Sequence, residues 1–152
     1  MPRDAAAPPR RKRSAGGYIL DEQVGFILRQ VSQRHGAIFS SMIGNDLTPT
    51  QWAALVKLAE IGHPCSQNLL GRHTAMDVAT IKGVVDRLTK RGLIRTMADP
   101  DDGRRLLVDL TDAGRDLVER ARSNAERITK ETLAPLDARE RETLLSLLKR
   151  LR

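Results

Sequence analysis

Apolar residues return at helical spacing along most of the chain, and in one stretch they gather instead into two short runs that read as strands. From Tyr18 to Gly44, Val24, Ile27, Leu28, Val31, Ile38 and Met42 recur at approximately helical intervals, which predicts a first helix. A second run opens on Thr48, Pro49, Thr50 and Gln51. A threonine hydroxyl accepts from free amides at a helix start, proline suits the first helical position, and glutamine three residues on completes a capping box. Trp52, Leu55, Val56 and Ala59 form its apolar face, and Gly62 and Pro64 end it. Ser66 to about His73 is a short helical candidate. Asp77 is then placed to cap a further helix with an apolar stripe of Val78, Ile81, Val85 and Leu88, assisted by Val84. The opposite side carries Ala79, Thr80, Lys82, Gly83, Arg87 and Lys90, and Gly92 stops the run.

The two short strand-like runs follow. Leu93, Ile94 and Thr96 predict one short strand and Leu106 to Leu110 a second, joined by a long hairpin loop from Asp99 to Arg105. Thr111 can cap a long helix lined by Leu117, Val118, Ala121, Ala125 and Ile128. Pro135 breaks it. Asp137 starts a last helix bearing Leu144, Leu145, Leu147, Leu148 and Leu151. A mainly α chain with a small β-wing is a poor scaffold for an enzyme and a good winged helix-turn-helix. The expected organisation is a tail over 1–17, a DNA-binding lobe over 48–110, and a helical dimerisation region from 18–47 and 111–152.

Charge supports this reading without establishing it. The 152 residues hold 26 Lys and Arg against 19 Asp and Glu, a net charge of +7. Such an excess favours a polyanionic partner. Five basic side chains against one acid in residues 1–17 supply +4 of it, in a Pro-, Ala- and Arg-rich segment that reads as disordered. Whether that tail touches nucleic acid is open. The segment lacks the apolar core of a secretory signal, and no run reaches the roughly 18 apolar residues of a spanning helix. The single Cys65 excludes an intrachain disulfide framework. The expected location is therefore the cytoplasm, on the nucleoid, with no membrane partner.

A helix reads DNA by entering the major groove, where base edges present distinguishable donors and acceptors. It needs an apolar side against its own domain and small or polar side chains opposite. Ala79 and Gly83 allow close approach, Thr80 and Lys82 reach bases or phosphates, and Arg87 and Lys90 reach the backbone. The wing loop then places Arg104, or alternatively Arg105, over the neighbouring minor groove, where negative potential concentrates. Asp102 is expected to pair with an arginine and hold the bend. Taken alone, the helix favours DNA over the competing reading of a solvated basic face, and the wing directly after it strengthens that preference.

The run VVDRLTKRGLIRTMADPDDGRRLLVDLTDAGRDLV, Val84 to Val118, closely resembles the MarR family of bacterial regulators. The likeness of element order extends from Tyr18 to Arg152. It implies a homodimer whose first and last two helices pair, with two winged lobes on a pseudopalindromic operator in double-stranded DNA. The family's wing aspartate and arginine fall on Asp102 and Arg104, and its recognition residues on the Ala79 to Gly83 region. Dimerisation has an independent reason: the ending LLSLLKRLR presents more leucine than a small lobe can cover.

MarR-like regulators typically take a small aromatic anion between dimer base and winged lobe, which changes the spacing of the recognition helices. Candidates are Gln33, His35, Phe39, Trp52, His73 and Met76, with Arg72 either in this set or on a phosphate. Trp52, Phe39 and Met76 also read as core residues. The segments DEQVGFILRQ, LTPTQWAAL and CSQNLLGRHTAMD are similar to members controlling nicotinic acid breakdown, which implies a hydroxylated nicotinate effector. No spacing among His35, His63, His73 and Cys65 matches a metal site, and no nucleophile elbow, phosphate loop or metalloprotease motif occurs. No cofactor is expected beyond the small aromatic acid. Cys65, before the short helix, does not match the first-helix cysteine of peroxide sensors. The competing functional reading is a dimeric DNA-binding activator or architectural protein with no effector; a helical interaction module is a third.

Overall fold

The computed structural model describes residues 17–152. Of the expected tail only Gly17 is among them. The elements are α1 (Val24–Met42), α2 (Pro49–Ile61), β1 (Cys65–Ser66), α3 (Gln67–His73), α4 (Val78–Lys90), β2 (Ile94–Ala98), β3 (Leu106–Leu110), α5 (Asp112–Thr132) and α6 (Ala138–Arg150). The mainly helical architecture with a small wing is as the pattern predicts. The first helix is shorter than its pattern: Tyr18–Gln23 is a 3-10 turn with its flanks, closed by backbone bonds from Glu22 to Ile19 and Gln23 to Leu20.

The caps follow the sequence closely. Thr48 and Gln51 form the reciprocal box at α2, and Asp137 and Glu140 form another at α6. Ser66, Asp77 and Thr111 each accept a backbone amide at the starts of α3, α4 and α5. These bonds satisfy amides that the first helical turn leaves without partners.

The sheet has three strands where two were expected, in the order β1-β3-β2 and antiparallel throughout. Cys65 and Ser66 pair with Val108 and Leu107, so the stretch at the start of the short helical candidate ties α3 to the wing. Two residues are too few for an alternating pattern to register. Between β2 and β3 the register runs from Ile94↔Leu110 to Ala98↔Leu106.

The core of the lobe gathers Leu55, Leu58, Leu70, Ile81, Leu88, Val108 and Leu110, with Phe39 and Ile43 of α1 and Leu117 and Val118 of α5 joining it. The start of α5 is locked onto the sheet. Thr111 donates its amide to the Leu93 carbonyl (3.1 Å) and its hydroxyl to that of Gly92 (2.7 Å). A Cβ on Gly114 would lie 2.0 Å from the Leu93 oxygen, so only glycine fits there. This close approach is the physical content of RGLI followed by LTDAG. By contrast, α6 buries no residue; Arg141 Nε holds its start, donating to the carbonyls of Leu133 (3.1 Å) and Leu136 (2.8 Å).

Candidate DNA-binding interface

Two devices aim α4 outward. The turn from α3 passes through Ala75 at φ +53°, and the Met76 amide donates to the Gly71 carbonyl (2.9 Å). A side chain on Gly71 would press on Ile81 and the Met76 carbonyl, both 3.2 Å from a Cβ, so the two helices sit at the separation glycine permits. At the start of α4 the Thr80 amide donates to Asp77 Oδ1 (2.7 Å), and this bond holds the Asp77 carboxyl below its ordinary pKa.

Ile81, Val84, Val85 and Leu88 are buried, as their spacing requires. Val78 is not: it is 70% exposed, although it falls in register with that stripe. The first turn of α4 projects beyond the body of the lobe, so a position that periodicity assigns to the core lies beside Ala79, Thr80 and Lys82 in solvent. Lys82, Arg87 and Lys90 are exposed. Lys82 pairs with Asp86 at 3.3 Å on an open surface, where such a pair is weak and easily exchanged. The Arg87 guanidinium lies along its own helix, 3.4 Å from the place a Gly83 Cβ would take. Glycine there makes room for the arginine as well as for a groove.

The wing tip is a hydrogen-bonded turn. Asp99 donates its amide to the Arg105 carbonyl, and Arg105 donates its own to the Asp102 carbonyl, both at 2.9 Å. Among the described residues Asp102 does not pair with an arginine side chain. Its Oδ1 accepts the Arg104 backbone amide (3.1 Å), and a carboxylate bent back to the main chain two residues on is the short-range bond a turn favours. The long-range ion pair is instead Arg105 with Asp99, at 3.9 Å. Arg104 makes no ion pair among the described residues, so it is the more available of the two wing arginines. At the wing base, buried Asp109 takes Arg95 at 2.8 Å and Arg115 at 3.8 Å. Together they fix the strand pair to α5.

One positioning residue escaped the sequence reading. Arg91, just past α4, donates to the carbonyls of Asn45 (2.6 Å) and Asp46 (3.3 Å) and to Gln51 Oε1 (3.4 Å). Asn45 and Asp46 both have positive φ, and Arg91 ties this α1–α2 bend to the end of α4. Nothing local in KRGL separates it from Arg87 or Lys90.

The effector candidates do not form one cluster. Trp52 lines a cavity of about 250 Å³ between α2 and α5, with Val56, Val118, Ala125, Thr129 and the oppositely charged Arg122 and Glu126. His35 lies on α1, its Nδ1 2.9 Å from the Thr132 hydroxyl and its ring 6.4 Å from that of Phe39, which is core. Thr129 and Thr132 are one helical turn apart, so both places lie along the C-terminal half of α5. Gln33 is exposed on α1, His73 is exposed at the end of α3, and Met76 packs on the lobe core. Arg72 faces a different groove, beside Arg104 and Arg105. Cys65 is buried, and burial together with the nearby Asp109 charge pushes its thiol pKa up.

The comparisons with known proteins bear on this geometry. The MarR family model matches residues 45–105, which run from the α1–α2 bend to the wing. The HTH-type transcriptional repressor NicR of Pseudomonas putida is 39% identical over 135 residues, covering 88% of this chain and 85% of that one. The chain belongs to the MarR family. It is a DNA-binding transcriptional regulator and not an enzyme. Two solved structures superpose with TM-scores of 0.85. One is a probable transcriptional regulator from Pseudomonas aeruginosa, 62% identical, covering 88% of this chain and all of that one. The other is Bordetella bronchiseptica BpsR, whose DNA binding is regulated by 6-hydroxynicotinic acid; it is 42% identical, covering 90% of this chain and 97% of that one. Among the described residues no helix is long and apolar enough to cross a membrane.

Proposed function

We propose that this MarR-family chain is a homodimeric repressor that holds a pseudopalindromic operator and is released by a small aromatic acid, with 6-hydroxynicotinate the first candidate. The supporting observation for the dimer is where the apolar surface lies. Apart from Val78 and Leu106, every exposed large hydrophobic side chain among the described residues falls between Tyr18 and Val31 or between Leu145 and Leu151. Pairing these two ends with their copies buries that surface at about 25 cal/mol per Å². Twofold symmetry then sets two α4 helices about one DNA turn apart. Ala79, Thr80, Lys82 and Gly83 face bases, Val78 offers a methyl surface to thymine, and Arg87 and Lys90 meet the backbone. Arg104 enters the minor groove, with Asp102 shaping the turn that presents it.

For the effector, the Trp52 cavity offers a pyridine carboxylate an aromatic wall, aliphatic neighbours and the Arg122 cation, with the Glu126 carboxylate on the same lining. Arg122 is held only by Glu119 at 3.6 Å, so it can turn to a carboxylate. His35 of α1 meets the end of α5 at Thr132, outside the lining of this cavity, and is a second polar candidate. The 6-hydroxynicotinate-regulated BpsR supports this choice of ligand, and the repressor NicR supports repression.

The test is a titration with labelled DNA from upstream of the chain's own gene, against scrambled competitor at stated salt. Specific binding released by 6-hydroxynicotinate supports the whole reading. Arg104→Ala lowers operator affinity by about 1–3 kcal/mol while leaving the dimer intact. Tight binding that no aromatic acid releases leaves a DNA reader without this effector.

A further inference from the structure

We infer that the groove between α3 and the wing seats a backbone phosphate of bound DNA, with Arg72 as its cation; this rests on the DNA-binding reading above. The groove, about 450 Å³, is lined by Ser66, Gln67, Asn68, Arg72 and the two wing arginines, with Leu106 at its edge. No carboxylate lines it. Arg72 makes no ion pair among the described residues, and neither does Arg104; Arg105 has only its 3.9 Å contact with Asp99. The positive charge is therefore unspent, and it stands beside hydroxyl and amide donors. Such a set suits an oxyanion that accepts several hydrogen bonds at once.

It suits an aromatic acid poorly. The only apolar side chain on the lining is Leu106, and Trp52 belongs to another cavity, between α2 and α5. Position argues the same way. Gln67 and Leu106 also line a second groove, about 480 Å³, which carries Lys82, its partner Asp86, and Lys90 of α4. One surface thus runs from the recognition helix across Leu106, which is 61% exposed, to Arg72 and the wing. In a helix-turn-helix the first helix crosses the phosphate backbone while the second lies in the groove, and α3 is that first helix. Arg72 accordingly leaves the effector set and joins the DNA set as a contact that positions the protein without reading sequence.

The experiment compares wild type, Arg72→Ala and Arg72→Lys on two duplexes, one from upstream of the chain's own gene and one unrelated. Salt is varied from about 50 to about 200 mM. Arg72→Ala is expected to weaken binding roughly tenfold on both. Its slope of log affinity against log salt should shrink by about 2 for a dimer that loses two phosphate contacts. Arg72→Lys, which keeps the point charge, retains most of the slope. An Arg72→Ala protein with wild-type affinity and slope overturns the assignment, and does so more pointedly if 6-hydroxynicotinate no longer releases it. A wild-type chain that binds neither duplex overturns the DNA-binding reading itself.

Discussion

The lobe from α2 to β3 and the helical ends use similar residues to opposite effect. In the lobe, Leu55, Leu58, Leu70, Leu88 and Leu110 are sealed within one chain. In the ends, Val24, Ile27, Leu28 and Val31 on α1 and Leu145, Leu147 and Leu148 on α6 face outward. Hydrophobic periodicity is equally clear in both, so periodicity alone does not say whether an apolar stripe meets its own domain or another molecule. The lobe carries a sheet and three helices around one centre. The ends are single helices whose apolar faces find no second layer among the described residues. A stripe without a second layer is an interface waiting for a partner.

The largest effect should come from joining the two regions badly. Gly114→Val drives a side chain into the Leu93 carbonyl, at the point where α5 leaves the sheet. We expect a loss of roughly 4 kcal/mol or more, or no folded protein, read by thermal or urea unfolding. A conservative melt would show that α5 can move off the sheet without cost, against the close packing described here.

Next comes a change confined to the ends. Leu147→Glu with Leu148→Glu should leave the lobe folded while weakening self-association at least a hundredfold, since each buried leucine contributes about 1.5–3 kcal/mol. Sedimentation equilibrium measures it, and circular dichroism confirms retained helix. If the double variant stays dimeric at micromolar concentration, the α6 face is not the interface.

Asp109→Asn acts inside the lobe. It removes the negative charge that pairs with Arg95 and Arg115, both about half exposed, and replaces one carboxylate oxygen by an amide, so the expected cost is modest, about 1–2 kcal/mol. The unfolding midpoint should fall while the association constant holds, the converse of the leucine pair.

The smallest effect concerns Cys65. Its thiol pKa is raised in the fold above the ordinary 9.0, so the folded state keeps its proton more firmly than the unfolded chain. The resulting stability is full below 9.0 and declines as pH rises beyond it. At neutral pH alkylation by iodoacetamide should be slow in the folded protein and fast in urea. Rapid labelling of the native chain would contradict its burial between strand and core.

Much of this was legible along the chain. Thr48, Asp77, Thr111 and Asp137 announced helix starts because a cap is a bond between residues two or three apart. The second wing strand, Leu106 to Leu110, was legible because β-branched and apolar residues there follow a bend rich in Asp and Gly. Four features were not. The β1 strand is two residues long and exists only through its pairing with β3. Val78 keeps core register, yet the lobe ends before reaching it. Asp102 could have paired with several groups, and the turn geometry chose the Arg104 amide. Arg91 looks like its basic neighbours until the α1–α2 bend comes back to meet it.

Sequence by itself therefore determined the order of elements, their caps, the wing and the family, since each depends on residues near in the chain or on a motif with fixed spacing. Tertiary structure decided which stripes are core and which are surface, which wing arginine is unpaired, and why Gly114 admits no side chain. It also set Arg72 beside the wing and Trp52 against α5. Those outcomes depend on distances between residues far apart in the chain, and on where one layer of side chains runs out of another to cover it.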